Sequence, residues 1–95
     1  MDDKTTKLFL SNMIGTVYKV LALYDSNDQN LKGYIDSVCI QLLGGLETFP
    51  ELKYNQKYIS VINIIQYLRT NEFDKKTCKR EILKGTNILE KLSRI

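Results

Sequence analysis

The stretch YISVINIIQYLRT, residues 58–70, carries five Ile or Val side chains between positions 59 and 65. By residue preference alone it reads as the middle of a β-strand. Its spacing reads otherwise. As a strand it would alternate Tyr58, Ser60, Ile62, Ile64, Gln66 and Leu68 with Ile59, Val61, Asn63, Ile65, Tyr67 and Arg69, so both faces would be mixed. On a helix turning about 100° per residue, Tyr58, Val61, Ile62, Ile64, Ile65 and Leu68 gather within roughly 160°, and Ser60, Asn63, Gln66 and Thr70 fall opposite. β-Branching costs a helix a few tenths of a kcal/mol per residue, against about 1.5–3 kcal/mol for burying one large apolar side chain. The stretch is therefore expected to be a core helix. Ile59 and Tyr67 lie with Asn63 on a ridge at i, i+4 and i+8, away from the main stripe. That ridge is either covered by neighbouring helices or is a second interface, for a partner or for a homodimer.

Outward from this stretch, the chain repeats the helical spacing. Leu10, Ile14, Val17, Leu21 and Tyr24 form one stripe, widened by Phe9, Met13 and Val20. The polar run DSNDQN, residues 25–30, breaks it, since Asp and Asn side chains compete for backbone hydrogen bonds and suit turns. Leu31, Tyr34, Ile35, Val38 and Leu42 form a second stripe, which Gly44 and Gly45 are expected to end. Thr48, Phe49, Pro50 and Glu51 read as a capping box opening a third helix near residue 49, with Pro50 tolerated in the first turn. Asp74 reads as the N-cap of a last helix, with Phe73 stapled onto Cys78 and an apolar stripe of Cys78, Ile82, Gly85, Leu89 and Leu92. Gly15 and Gly85 each weaken a helix interior by about 1 kcal/mol, which predicts close approach of two helix backbones there. The expected architecture is all-α, a small four-helix up-and-down antiparallel bundle with helices at roughly 5–25, 30–45, 49–70 and 74–93.

Ninety-five residues, 43% apolar and 26% charged, suit a single helical domain over residues 1–95, burying about 60–65% of the surface that the unfolded chain exposes. The apolar segment LFLSNMIGTVYKVLALY, residues 8–24, is interrupted by Ser11, Asn12 and Lys19 and is shorter than the about 20 apolar residues of a membrane span. It follows two aspartates and lacks a small-residue cleavage site, so it reads as a core helix, and the protein as cytoplasmic. Cys39 and Cys78 both sit in apolar patterns and read as buried reduced thiols. The alternative, a disulfide, needs Cα atoms within about 7 Å.

The chain contains no histidine, the commonest general base and transition-metal ligand. The cysteines are far apart in sequence and lack CxxC spacing, and the Gly44–Gly45 pair lacks the strand and lysine of a phosphate loop. These features predict no enzyme, no metal and no cofactor.

Charge is more informative. Residues 1–74 hold seven Lys or Arg and nine Asp or Glu, net −2; residues 75–95 hold seven and two, net +5, which sums to the overall +3. On the last helix Lys76, Arg80, Lys84, Lys91 and Arg94 fall within roughly 80°, opposite the apolar stripe. Lys75 and Lys76 also occupy the first turn, where the helix dipole disfavours cations by about 0.3–1 kcal/mol. Such a face is either simply a solvated surface or a functional one; the leading functional expectation is a non-catalytic protein that acts by protein–protein interaction, docking an acidic partner on this face. Weak association with an anionic membrane surface is a further use of such a helix. Nucleic acid ranks third, because the net charge is low and no aromatic residues interleave the basic ones. In its length, four helical segments and basic C-terminal helix, the chain resembles the small cytosolic bacteriocin immunity proteins. That resemblance is one of layout and carries over no residue; it implies self-protection near the membrane as the alternative function.

Overall fold

The computed structural model describes residues 4–95. They form five helices and no strand: α1 (Lys4–Asp25), α2 (Leu31–Thr48), α3 (Pro50–Lys53), α4 (Gln56–Thr70) and α5 (Lys75–Ser93). The fold is all-α. α4 buries Tyr58, Val61, Ile62, Ile64, Ile65 and Leu68, the six side chains whose spacing argued against a strand. α1 contributes Leu10, Met13, Val17, Val20 and Leu21 to the same core, α2 contributes Ile35, Val38, Cys39 and Leu42, and α5 contributes Cys78, Ile82, Leu89 and Leu92. Helix contacts run in a ring: α1 packs on α2 and α5, and α4 packs on α2 and α5, with α1 and α5 sharing the most extensive contact.

The third helix is not continuous over 49–70, as the sequence suggested. It breaks into the single turn of α3 and the longer α4, so five helical elements replace four. Neither Gly44 nor Gly45 ends α2, which runs on to Thr48; no described glycine has positive φ. α3 and α4 part at Tyr54 and Asn55, and the break that ends α2 falls at Phe49, with φ −117° and ψ 102°. A residue before proline is pushed out of the α region by the ring of the next residue, so Pro50 sets the break through its neighbour. The capping box is not formed. Thr48 is still helical, Phe49 stands at the N-cap position without a side-chain cap, and the Glu51 carboxylate instead accepts from the buried Thr6 hydroxyl at 2.8 Å. α3 exists to seat one residue, Leu52, which is fully buried. Asn55 then caps α4 by accepting from the Tyr58 N–H at 3.0 Å.

The glycines also differ from expectation. A Cβ at Gly15 would meet nothing within 4 Å, and one at Gly85 would meet Ile64 and Val61 at an ordinary 3.8 Å. Close approach occurs at Gly45, where a Cβ would run into the Tyr58 hydroxyl and lie 2.8 Å from the Phe9 ring. The reason is Tyr58 itself: its ring is fully buried and its hydroxyl donates to the Leu42 carbonyl on α2. A phenol crossing between helices at that depth leaves no room for a side chain one turn further on. Phe9 and Phe49 close the same end of the molecule, with ring centroids 4.9 Å apart.

At the other end, Asn27 takes φ 54° in the α1–α2 turn and Asp28 accepts from the Asn30 N–H at 2.8 Å. There the end of α1 meets the start of α5: Tyr24 and Phe73 pack with ring centroids 5.5 Å apart, and Lys75 reaches Asp25 at 3.4 Å. Arg69 near the end of α4 approaches Asp36 near the start of α2 at 4.0 Å. No helix among the described residues is long and apolar enough to cross a membrane.

Candidate functional site

α5 is held at its start by Asp74, whose carboxylate accepts from the Thr77 N–H at 2.8 Å. That backbone hydrogen bond holds the Asp74 carboxyl below its usual range, with the Arg80 charge a minor contributor. An acid at the N-cap and Asp25 beside Lys75 together offset the unfavourable placement of two lysines in the first turn. The helix then seats Cys78, Ile82, Gly85, Thr86, Leu89 and Leu92 against the core. Thr86 was not part of the expected stripe; its hydroxyl bonds back to the Leu83 carbonyl at 3.2 Å, which lets a polar residue sit on the apolar side.

Lys76, Arg80, Lys84, Lys91 and Arg94 are all exposed. They do not form a uniform field. Arg80 and Lys84 converge on the Glu81 carboxylate, at 3.2 and 3.4 Å, and Arg94 pairs with Glu90 one turn earlier. Glu81 is largely covered, its side chain 14% exposed, so it fixes two cations at the middle of the face instead of competing for solvent. Lys76 and Lys91 stand outside the ion pairs found among the described residues. Lys79, left off the face by the wheel, is exposed beside them.

The second candidate ridge is divided. Ile59 is partly covered, Asn63 is exposed and Tyr67 is 45% exposed. Two larger features were not anticipated. A groove of ≈ 390 Å³ lies between the end of α1, the start of α2 and the end of α4, floored by Tyr24, Ile35, Leu68 and Phe73 and flanked by Lys32 and Arg69. On α2 Ile40 is 69% exposed and just after α3 Tyr54 is 78% exposed, and Tyr54 lines a shallow apolar depression of ≈ 490 Å³ with Leu46 and Pro50. The groove arises where three helix ends meet, which no pattern along one helix discloses. Ile40 could have been found, because it stands outside the stripe that defines α2.

No protein-family model, no curated protein and no solved structure matches this chain. The chemistry must therefore be read from the side chains themselves. Both cysteines are free and buried. Burial, with the nearby Asp25 charge, pushes the Cys78 thiol up from 9.0 to about 11, which disfavours the thiolate form. Among the described residues no group of three or more His, Cys, Asp or Glu is arranged to hold a metal ion. What the surface can offer is a positioned row of cations on a helix whose other face is anchored in the core.

Proposed function

We propose that the protein is a non-catalytic, single-domain interaction module in which α1, α2, α4 and α5 form an up-and-down antiparallel bundle that presents the basic face of α5 to an acidic partner protein. The topology is supported by contacts at both ends. Thr6 of α1 bonds Glu51 after α2, Tyr58 of α4 bonds Leu42 of α2, and at the opposite end Tyr24 of α1 packs on Phe73 before α5. α3 is then part of the connection between the second and third long helices.

The observation that carries the functional reading is the pairing of Arg80 and Lys84 with one mostly covered Glu81. Cations held in place lose less side-chain freedom on docking than free lysines do. Lys76, Lys79 and Lys91 add mobile charge around them, suited to steering an encounter with an acidic surface. Ile59, Asn63 and Tyr67 remain a secondary surface.

The test is cross-linking of the full chain in its native cells, identification of the captured protein and measurement of the Kd of the purified pair. Arg80→Glu with Lys84→Glu is expected to raise that Kd by about tenfold or more, with a separate stability loss of about 0.5–1 kcal/mol in thermal melts, because Glu81 loses both cations and gains like charges beside it. An unchanged Kd would remove the basic face from the interface. Binding to anionic vesicles, with raised tolerance of a sensitive strain to a pore-forming peptide, would move the assignment to the immunity-type role. A steep fall of DNA or RNA affinity with salt would move it to nucleic acid.

A further inference from the structure

The ring of helices divides the charge between its two sides. α1 and α5, which share the most extensive contact, form one side, and α2 and α4 the other. Residues 4–25 and 75–95 together hold ten Lys or Arg and three Asp or Glu, net +7; residues 26–74 hold four and six, net −2; residues 1–3 add −2, which gives the overall +3. Among the described residues the three acids of the α1–α5 side are all engaged: Asp25 with Lys75, Glu81 with Arg80 and Lys84, and Glu90 with Arg94. Lys19 leans to α2, its ammonium 5.5 Å from the Tyr34 ring, so the cations beside the middle of the α1–α5 seam are those of α5.

Two large apolar side chains interrupt this basic surface. Tyr18 of α1 is 50% and Leu83 of α5 37% exposed. In the up-and-down arrangement the two are level. α1 ends where α5 begins, with Asp25 3.4 Å from Lys75. Tyr18 lies seven residues before Asp25 and Leu83 eight after Lys75, which puts them about 10.5 and about 12 Å along the helices from that shared end. Tyr18 is on the side of α1 that carries Asp25, two turns away, and Lys75, Lys79 and Leu83 form one ridge at i, i+4 and i+8. Both side chains therefore border the seam. Around α5, Leu83 falls between Lys79 and Arg80, inside the arc of cations.

We infer that the acidic partner carries an apolar anchor: a short protein segment in which large apolar side chains stand among Asp and Glu, seated across the α1–α5 seam with its apolar group on Tyr18 and Leu83 and its carboxylates on Lys76, Lys79 and Arg80. This extends the docking face proposed for α5 onto α1 and rests on that reading. Charge complementarity selects the occupant. With its own acids engaged, this side has cations to be neutralised and no carboxylate to answer a basic partner, and a second copy of the chain would set like against like. A phosphate backbone would neutralise the cations but leave Tyr18 and Leu83 without an apolar partner. Charges at a rim set the rate and register of an encounter, whereas an aromatic side chain buried at the centre carries much of the affinity.

The test uses the full chain and three labelled synthetic probes of equal length: an amphipathic peptide with Leu at three- and four-residue spacing and Glu between, the same peptide with every Leu replaced by Ser, and polyglutamate. Fluorescence anisotropy at low salt is expected to give the first peptide a Kd at least about tenfold below those of the other two. Tyr18→Ser and Leu83→Ser should each weaken it about threefold to tenfold and leave polyglutamate binding unchanged, whereas Arg80→Glu with Lys84→Glu should weaken both. A first peptide that binds no better than polyglutamate, or whose Kd ignores Tyr18 and Leu83 while still depending on Arg80 and Lys84, overturns the apolar anchor and leaves the α5 docking face standing. Indifference of every probe to Arg80 and Lys84 removes that face, and the anchor with it. Vesicles of equal parts phosphatidylcholine and phosphatidylglycerol that bind the chain through Tyr18 and Leu83, where the first peptide does not, would assign the seam to a lipid surface and overturn the inference. If Leu83→Ser lowers the melting temperature, Tyr18→Ser, at the more exposed position, decides alone.

Discussion

Tyr58 joins two helices through one hydroxyl, and the consequence falls on a glycine thirteen residues earlier. With the phenol donating to the Leu42 carbonyl, Gly45 faces the hydroxyl and the Phe9 ring at once. Gly45→Ala must displace one of them, and a cost of about 1–3 kcal/mol is expected from overpacking at a well-filled site. Gly15→Ala has open space and should stabilise by up to about 1 kcal/mol through helix propensity alone. Thermal melts of the two variants in parallel check the contrast; equal shifts would mean that the Tyr58 contact does not constrain α2. In a Tyr58→Phe background the penalty at Gly45 should shrink, because neighbouring substitutions of this kind are not additive.

The elements around residues 48–58 show how a local signal loses to its surroundings. Thr48, Pro50 and Glu51 have the composition of a capping box, yet Pro50 pushes Phe49 into extended backbone while α2 still holds Thr48. Glu51 is then drawn to the buried Thr6 hydroxyl on α1. The cap that operates is Asn55, which bonds the Tyr58 N–H. Asn55→Ala should therefore cost about 1 kcal/mol, whereas Thr48→Ala should fall within about 0.5 kcal/mol of the parent. Urea titrations of both variants measure the difference, and the reverse ranking would restore the box. The same elements carry the corrections at Gly44 and Gly45, which looked like a terminator because two adjacent glycines suit positive φ; here their use is space at one position and an open outer face at the other.

For the molecule as a whole, alkaline pH probes the closure of the core. The folded Cys78 thiol keeps its proton up to about pH 11, while an unfolded cysteine releases it near 9.0. Between those values the unfolded chain binds fewer protons, so stability falls as pH rises, by up to about 2–3 kcal/mol from this group, and levels off above the folded value. Tyr58, whose pKa burial raises well above 10.0, adds to the decline once unfolded tyrosines begin to ionise. Denaturation midpoints measured across this range, with Cys78→Ala as the control that flattens the first part, check the sign. The basic face predicts the opposite insensitivity. Lys76→Glu with Lys91→Glu changes two exposed side chains that no ion pair among the described residues engages, and stability should stay within about 0.5 kcal/mol of the parent while partner binding weakens. A large loss of stability would mean that these lysines pack as well as charge the surface.

Helical class, the six buried positions of α4, the Asp74 cap and the exposure of the α5 cations were legible in the sequence, because each follows from spacing along one helix or from a cap and its own first turn. The division of the third helix, the target of Glu51 and the choice of Gly45 for close approach were not. The division follows a local cap, Asn55, that the apolar spacing of 49–70 does not register, whereas the last two depend on a side chain from another element, Thr6, Phe9 or Tyr58, arriving at that point in space. The same holds for the ridge that seemed out of place in residues 58–70. Periodicity put Ile59 and Tyr67 together off the stripe, but only packing decided that Ile59 is partly covered while Tyr67 stays open, since coverage is set by the neighbouring helices and not by the helix that carries the residue.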